Sequence, residues 1–190
     1  MDDERSLDSR KAVFTTSRLV ARNWTTTPED VASAFAIYSN PEVSKFIRDA
    51  PEESLETQKA TLERILKLVS ERDPRFGWWA LEEKSSGRIV GISVLKPLPD
   101  HDEVEVGWHL GREFWGMGYA AEGAKGAIRH FFGKFDLPRI VAVVNPENSR
   151  SSKVAVQLGM ELEGMVHVYN IEAEFYTLTR ERAKELGYVL

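Results

Sequence analysis

The 190-residue chain contains no cysteine. Disulfide bonds, thiolate metal sites and a cysteine nucleophile are therefore excluded, so no acyl group can be carried on a cysteine. The chain also lacks an apolar run close to the roughly 20 residues that a transmembrane helix needs. Its first eleven residues, MDDERSLDSRK, are polar and contain no apolar core of a signal peptide. These absences predict a cytoplasmic protein that does not act in a membrane.

The chain has little excess charge, with 30 acidic and 25 basic residues and a formal net charge of −5. Because a nucleic-acid partner is usually held by a broad basic surface, this balance argues against nucleic-acid binding. Hydrophobic residues make up 42% and charged residues 29%, which is typical of a globular protein. We expect one domain over residues 15–190 with its own core, preceded by a flexible polar arm over residues 1–14.

Hydrophobic periodicity and turn signals predict helices interspersed with strands. Thr27-Pro28 marks the start of a first helix, Asn40-Pro41 marks its end, and Lys84–Gly87 is typical of a hairpin turn. In chain order the predicted elements are strand 18–24, helices 28–39 and 54–72, strands 76–82, 88–95 and 102–110, helix 116–133, strand 139–144, helix 149–158, and strands 161–169 and 174–180. This order predicts an α/β fold with a mixed sheet of about seven strands and helices on both faces.

One segment, GREFWGMG at 111–118, joins a predicted strand to a helix rich in small residues. Two glycines let a backbone approach a ligand closely, and the first amides of a helix have no internal partner, so the segment suits an anionic diphosphate. It lacks the Gly-Lys-Ser/Thr ending of a nucleoside triphosphate loop and the third glycine of a dinucleotide fingerprint. By itself the pattern fits a tight turn with close helix packing equally well.

Several short segments occur in a distinctive order along the chain. They are TSRLVAR at 16–22, EVGW at 105–108, WGMGYA at 115–120, NPENSRS at 145–151, and LGM at 158–160 followed by Glu163-Gly164. In this order and spacing they resemble the GNAT superfamily of N-acetyltransferases, and within it the branch of ribosomal-protein N-terminal acetyltransferases. The resemblance covers about residues 15–180.

The resemblance implies a GNAT fold whose sheet is splayed between its fourth and fifth strands, here 102–110 and 139–144. Acetyl-CoA would lie in that V, with its pantetheine paired to backbone near Leu110 and its pyrophosphate on the loop amides of residues 113–118. No metal is implied. The implied cofactor-binding residues are Leu110, Glu113, Phe114, Trp115, Gly116, Met117, Gly118, Tyr119, Ala120, Asn148 and Ser151.

Attack of a neutral amine on a thioester benefits from a base. Glu105 is the candidate base because it lies within a predicted strand, on the face opposite Val104 and Val106, where a carboxylate without a partner is costly. The resemblance also favours this position. The alternative is that residues 101–105, HDEVE, form a solvated acidic start to the strand.

Asn148 and Ser151 open a predicted helix, and both residue types are favoured helix caps. In resembling proteins these positions lie beside the thiol and pantetheine of CoA, so Ser151 is also the candidate proton donor to the leaving sulfur. Many superfamily members use a tyrosine as this acid, and Ala155 occupies the corresponding position here. The acid is then Ser151, water, or no group at all.

A few further residues have a structural and a functional interpretation. The ring of Tyr119 is expected near the phosphates of CoA, and Trp78 or Trp79 lines the acceptor pocket unless both belong to the core. His109 is a candidate because histidine can change its charge near neutral pH, but a lone histidine on a strand is more often structural. Glu172 and Glu174 are predicted to lie between the last two strands, either in a surface turn or near the entering amine.

These features predict an acetyl-CoA-dependent N-acetyltransferase that acts on a primary amine through a ternary complex, without a metal. The acceptor is a protein N-terminus or a small-molecule amine. One alternative is a catalytically silent acyl-CoA-binding or regulatory module on the same fold. Another, an unrelated α/β binding domain, leaves the NPENSRS segment unexplained. The sequence does not decide between a monomer and a homodimer.

Overall fold

The computed structural model describes residues 11–47, 50–71 and 73–189. Its strands are β1 (Ala12–Thr15), β2 (Leu19–Asn23), β3 (Gly77–Glu83), β4 (Ile89–Pro97), β5 (Val104–Leu110), β6 (Arg139–Val144), β7 (Glu161–Val168) and β8 (Ile171–Thr179). Its helices are α1 (Pro28–Tyr38), α2 (Pro41–Ser44), α3 (Leu55–Ser70), α4 (Tyr119–Lys134), α5 (Ser149–Gln157) and α6 (Arg180–Glu185), with a 3₁₀ turn at Arg112–Phe114.

All eight strands form one open sheet in the order β1-β2-β3-β4-β5-β6-β8-β7. Neighbouring strands are antiparallel except β5 and β6, which run parallel and pair only at Glu105 with Val141. On its other side β5 pairs with β4 along its whole length, from Val104 to Leu110. Beyond their single point of pairing β5 and β6 diverge. The predicted splay between these two strands is therefore confirmed.

Helices cover both faces of the sheet, as predicted. Helices α4, α5 and α6 share the largest apolar cluster with one face, which we call the back face; Phe131 and Leu158 belong to this cluster. Helices α1 and α3 cover the opposite, front face of β3 and β4 through a second cluster that includes Ile37, Leu62 and Ile92. The splayed gap thus opens toward a different set of helices on each face.

Three short elements were missed by the sequence prediction, which gave seven strands. Strand β1 begins inside the segment predicted as a flexible arm, and Phe14 packs edge-on against Trp79 with ring centres 5.6 Å apart. The rest of that arm, residues 1–10, lies outside the described residues. Helices α2 and α6 are too short to show a periodic pattern, and each begins at a capping side chain, Asn40 and Thr179 respectively.

The last hairpin turns earlier than predicted. Tyr169 and Asn170 form its turn, with φ of +53° and +60°, so that β8 already begins at Ile171. The prediction that Glu172 and Glu174 lie between the two strands is therefore wrong, because both lie on β8. The reason is that two residues in the left-handed region reverse the chain without the glycine that usually marks such a turn.

A buried ion pair ties β2 to α1. Arg22 and Asp30 are 6% and 2% exposed and form a two-pronged contact with N–O distances of 2.8 and 2.9 Å. Burial alone would raise the pKa of Asp30, but hydrogen bonds from Arg22 and Thr25 outweigh it and lower this pKa below the ordinary value. The ionised carboxylate is therefore the form that the fold stabilises.

We predict that Asp30→Ala lowers the free energy of unfolding by about 3–5 kcal/mol, because it removes the carboxylate that binds both Nη atoms of the buried Arg22 and leaves Glu82, at its Nε, as the remaining carboxylate partner. Because the pKa of Asp30 is lowered in the fold, its contribution is present above the ordinary pKa of aspartate and is lost as the pH falls through the folded-state value. Urea unfolding at several pH values measures both effects. Asp73→Asn, in a surface pair with Arg75, is the control and should change stability little.

Within the described parts of the chain, no helix combines the length and apolar character needed to cross a membrane. The cytoplasmic location expected from the sequence stays a prediction.

Candidate functional site

The loop between β5 and α4 bends at two glycines. Gly116 and Gly118 each have a φ of +80°, a conformation that residues with a Cβ rarely adopt. Gly118 is the N-cap residue of α4 and offers no side chain to cap the helix. The first amides of α4 are therefore presented at a helix terminus that favours negative charge. The local geometry matches that of a diphosphate-binding segment.

Arg18, just before β2, holds this loop in place. Its Nε donates to Glu122 Oε2 in the first turn of α4 (2.7 Å), and its Nη1 donates to the carbonyl oxygen of Met117 (3.0 Å). Its guanidinium also lies over the ring of Tyr119, 4.3 Å from the ring centre. Arg18 of the TSRLVAR segment thus connects the start of β2 to the glycine loop.

A cavity of about 600 Å³ occupies the gap between β5 and β6. Its walls come from β5, β6, the glycine loop, the first turns of α4 and α5, and the segment 42–47 that contains most of α2. A volume of this size is in the range of ligand and cofactor sites. The cavity therefore lies where the splay of the sheet predicts a ligand.

Part of the backbone of β5 faces this gap. The amide of Gly111 donates to the carbonyl oxygen of Val90 in β4 (3.0 Å). Because backbone groups of alternate residues point to opposite sides of a strand, those of Trp108 and Leu110 point away from β4. The Leu110 carbonyl accepts the indole N–H of Trp115 (3.0 Å). The edge offered to a ligand therefore centres on Trp108 and on the amide of Leu110.

The structure brings most of the predicted site residues to the cavity. Those that line it are Glu105, Leu110, Trp115, Gly116, Gly118, Ala120, Asn148 and Ser151. Glu113, Phe114, Met117 and Tyr119 do not line it. The predicted loop therefore contributes its glycines and Trp115 to the cavity, whereas its other side chains lie elsewhere, and that of Met117 is exposed.

Contacts within the protein explain where these other side chains go. Phe114 and Tyr119 are buried in the back-face core, because the 3₁₀ turn and the first residue of α4 direct their rings inward. The amide of Phe114 donates to the carbonyl oxygen of Gly111 (3.0 Å). Glu113 pairs with Arg88 at 2.7 Å. The structure thus places the ring of Tyr119 against Arg18 and the core, rather than at the cavity.

Glu105 is buried on the front face of β5, with 8% of its surface exposed, and lines the cavity. Its Oε2 accepts a hydrogen bond from the hydroxyl of Tyr169 and lies 3.4 Å from Lys96 Nζ. The alternative of a solvated acidic strand start is therefore wrong for this residue. Glu103, one pleat earlier, instead accepts a hydrogen bond from Arg139 Nε (2.9 Å) and does not line the cavity.

Burial raises the pKa of the Glu105 carboxyl, although the charge of Lys96 and the hydrogen bond from Tyr169 act in the opposite direction. A carboxyl with a raised pKa is a stronger base once ionised, which suits proton transfer near neutral pH. Partial burial and the charge of Glu105 raise the pKa of Tyr169. This tyrosine therefore stays protonated and keeps donating its hydrogen bond.

Comparison with known proteins agrees with this geometry. Residues 18–161 match the family model of the acetyltransferase (GNAT) domain. The chain belongs to the GNAT family of acetyltransferases. YoaA, an uncharacterized N-acetyltransferase of Bacillus subtilis, is 27% identical to this GNAT chain over 158 residues, which is 83% of this chain and 87% of YoaA.

Solved GNAT structures share the fold. The microcin C7 self-immunity acetyltransferase MccE, solved with acetyl-CoA and AMP, superposes with a TM-score of 0.71 at 14% identity, over 86% of this chain and 93% of MccE. The ribosomal-protein-S5-alanine acetyltransferase of Vibrio fischeri superposes with a TM-score of 0.66 at 18% identity, over 88% of this chain and 96% of that one. At these identities the similarity concerns the fold.

The start of α5 in this GNAT chain combines a cap with a cavity wall. Asn148 Oδ1 accepts a hydrogen bond from the amide of Ser151 (3.3 Å), so Asn148 is the N-cap predicted from its residue type. Both residues also line the cavity. Capping and ligand contact are therefore compatible here, and the role of Ser151 toward the leaving sulfur stays a prediction.

The two late glutamates have structural partners. Glu174 accepts hydrogen bonds from Ser152 (2.8 Å) and Tyr176 (2.9 Å), which tie β8 to α5 on the back face. Glu172 pairs with His167 across the exposed hairpin at 2.8 Å. Neither lines the cavity, so the structure does not bring them to Glu105.

The remaining aromatic candidates divide between core and site. Trp79 is 1% exposed and belongs to the back-face core, so its predicted alternative place in an acceptor pocket is wrong. Trp78 points to the front face, and its ring centre lies 5.2 Å from Lys96 Nζ. His109 lines the cavity, and its Nδ1 lies 3.1 Å from the hydroxyl of Tyr38.

Sequence analysis predicted Glu105 but missed the positively charged residues of the site. Arg150 and Lys153 of α5 line the cavity, and the guanidinium of Arg150 lies 4.5 Å from the ring centre of Trp115. Arg150 falls inside the NPENSRS segment, but it occupies one of the two variable positions between Asn148 and Ser151, so the resemblance does not assign it a role. Lys96 and Tyr169 fall outside every motif, so no motif points to them.

Proposed function

We propose that this GNAT acetyltransferase transfers the acetyl group of acetyl-CoA directly to a primary amine in a ternary complex. The observation that carries the proposal is the position of Glu105. A buried carboxylate with a raised pKa lines the same cavity as the glycine loop and the open edge of β5. A site for a phosphorylated acyl carrier and a base therefore meet in one cleft.

The cavity suits CoA in shape and in charge. The glycine loop and the N-terminus of α4 provide amides for a diphosphate, and Arg150 and Lys153 add positive charge at the same opening. The open backbone of β5 can pair with the amide groups of a pantetheine arm as it would with a peptide strand. These features support binding from the back face, where α4 and α5 begin.

The acceptor amine would enter from the front face, where Glu105 lies. When bound, acetyl-CoA supplies a thioester whose carbonyl carbon forms the new bond to the amine nitrogen while the bond to sulfur breaks. Glu105 accepts a proton from the amine, directly or through one water, and becomes neutral. Ser151, on the cavity wall, is the candidate to donate a proton to the departing thiolate, as proposed from the sequence. Ser151 regains a proton from solvent and Glu105 releases its proton to solvent, so the products are the amide and the free thiol of CoA.

The acceptor is proposed at the level of a primary amine, either a protein N-terminus or a small molecule. The ribosomal-protein-S5-alanine acetyltransferase and MccE share this fold under different names, so the fold is compatible with both classes. A silent acyl-CoA-binding module, the alternative from the sequence, would not need a buried carboxylate in the cleft. The buried carboxylate of Glu105 in the cleft therefore favours an enzyme over a silent binding module.

Thiol release from acetyl-CoA, measured across a panel of peptides, polyamines, amino sugars and aminoglycosides, tests the proposed function. We expect amine-dependent release of CoA and an acetylated product of matching mass. Tight binding of acetyl-CoA without release for any amine class would instead favour the silent module.

We predict that activity survives EDTA and that initial-rate plots against both substrates intersect. The amine attacks the thioester directly in the proposed reaction, so no metal takes part, and the chain has no cysteine to carry an acetyl group. Initial rates over a grid of the two concentrations, with and without chelator, measure both properties. Parallel lines together with an acetylated enzyme detected by mass spectrometry would contradict the ternary complex.

A further inference from the structure

Two residues outside the sequence motifs contact the carboxylate of Glu105. The hydroxyl of Tyr169 donates to its Oε2, and Lys96 Nζ lies 3.4 Å from the same oxygen. Lys96 Nζ also donates to the Tyr169 hydroxyl at 2.6 Å. The ammonium therefore bridges the tyrosine and the carboxylate, and all three groups share one hydrogen-bonded cluster.

The two oxygens of Glu105 have different surroundings. Oε2 is the atom that Tyr169 and Lys96 contact. Oε1 points toward Gly107, since a Cβ built on that glycine would lie 4.0 Å from it. Gly107, which has no side chain, lines the cavity, so Oε1 lies beside a residue of the cleft. Oε2 is thus the oxygen that the protein binds, and Oε1 is the oxygen on the side of Gly107.

The backbone around Tyr169 is held in an unusual conformation for this contact. A φ of +53° is rare for a bulky residue. The turn places Tyr169, of which 44% is exposed, beside Glu105. Lys96 Nζ lies 4.5 Å from the centre of that ring and 5.2 Å from that of Trp78, within reach of cation–π attraction. Strand β4 and the hairpin turn thus meet at Glu105.

We propose that Lys96 and Tyr169 are positioning residues for Glu105, binding Oε2 so that the ionised Oε1 faces the cleft as the proton acceptor. The inference rests on the proposed function, because it assigns partners to the base of that reaction. Lys96 supplies the positive charge that opposes the effect of burial on the carboxylate, and Tyr169 fixes the direction of the carboxylate plane. The amine proton then moves to Oε1, while the bonds to Oε2 remain.

The test combines a titration that needs no substrate with the pH dependence of the reaction. Protein labelled with ¹³C at the glutamate carboxyls is titrated by NMR, and the Glu105 signal is identified by its loss in Glu105→Gln. In Lys96→Met the titration midpoint should move upward by about one pH unit or more, because an opposite charge within a few ångströms is removed. Lys96→Arg keeps the positive charge, so its titration midpoint should lie close to that of the wild type. Tyr169→Phe should raise the midpoint by less than Lys96→Met does.

In kinetics with one acceptor amine, the acid limb of the pH profile of kcat should also move to higher pH in Lys96→Met. The reason is that the reaction requires ionised Glu105, and in this variant Glu105 already becomes protonated at a higher pH as the pH falls. Rates at the alkaline plateau should approach the wild-type value, and the CoA dissociation constant should stay unchanged. Lys59→Met, in an exposed pair with Glu63, and Tyr188→Phe, whose hydroxyl bonds to the Leu158 carbonyl, are the matched controls and should leave the Glu105 midpoint unmoved.

Each outcome separates the two proposals. An unmoved Glu105 midpoint in both Lys96→Met and Tyr169→Phe would overturn the positioning role, as would a rate that falls equally at every pH with an unmoved acid limb. An enzyme with no amine-dependent activity, or one in which Glu105→Gln is fully active, would overturn the proposed function, while the titration would still report whether these residues control Glu105.

Discussion

Glu105→Gln is expected to lower kcat by about 10²–10⁴-fold at neutral pH, because loss of a general base typically costs this much. Glutamine keeps the size of the side chain, and its amide oxygen can still accept the hydrogen bond from Tyr169 that Glu105 Oε2 accepts. The CoA dissociation constant should therefore stay unchanged. The loss should shrink at high pH, where more of the amine is already neutral. Stopped assays of thiol release between neutral and alkaline pH measure this dependence.

Glu103→Gln is the matched control for this variant. Glu103 is a half-buried glutamate just before β5, and it is bound to Arg139 rather than placed at the cavity. It should therefore be nearly silent in turnover. Equal losses in the two variants, or a loss below about threefold in Glu105→Gln, would mean that Glu105 is structural and that the amine loses its proton elsewhere.

Gly118→Trp is expected to abolish binding of CoA and acetyl-CoA. The position has a φ of +80°, and a Cβ there would lie 3.5 Å from Arg18 Nη2. Because Gly118 lines the cavity, we expect the indole to occupy the space in front of the loop amides. Wild-type protein should bind CoA with a dissociation constant of about 1–10 μM and gain thermal stability through this binding. Isothermal calorimetry and thermal shift with and without CoA compare the two proteins.

The control for the strain of this substitution is Gly187→Trp. Gly187 also has a positive φ, +71°, but a Cβ there meets no atom within 4 Å, and it follows α6, away from the cavity. The two variants share the backbone cost of a side chain in the left-handed region. We expect Gly187→Trp to lose stability and keep its CoA-induced thermal shift. Normal CoA affinity in a folded Gly118→Trp protein would instead show that the loop does not hold the pyrophosphate.

The sequence by itself determined the long elements, the order of the fold and the glycine loop. Thr27 caps the first helix as predicted, and the helix predicted over 54–72 begins at Leu55, after Ser54. Alternation along β5 placed Glu105 on the face opposite Val104 and Val106. These features are local, since capping, periodicity and left-handed glycines depend on neighbours within a few residues. The family motifs are also short, local segments of sequence, and they identified the GNAT fold correctly.

Only the tertiary structure decided which groups meet at the site. Lys96 reaches Glu105 because β4 and β5 pair in register, and Tyr169 reaches it because the β7–β8 hairpin turns at a non-glycine residue with positive φ. The same packing sends Phe114 and Tyr119 into the core, although both belong to the loop motif. Contacts between residues that are far apart in sequence depend on strand register and helix packing, which short patterns do not encode. The partners of the proposed base therefore could not be read from the chain alone.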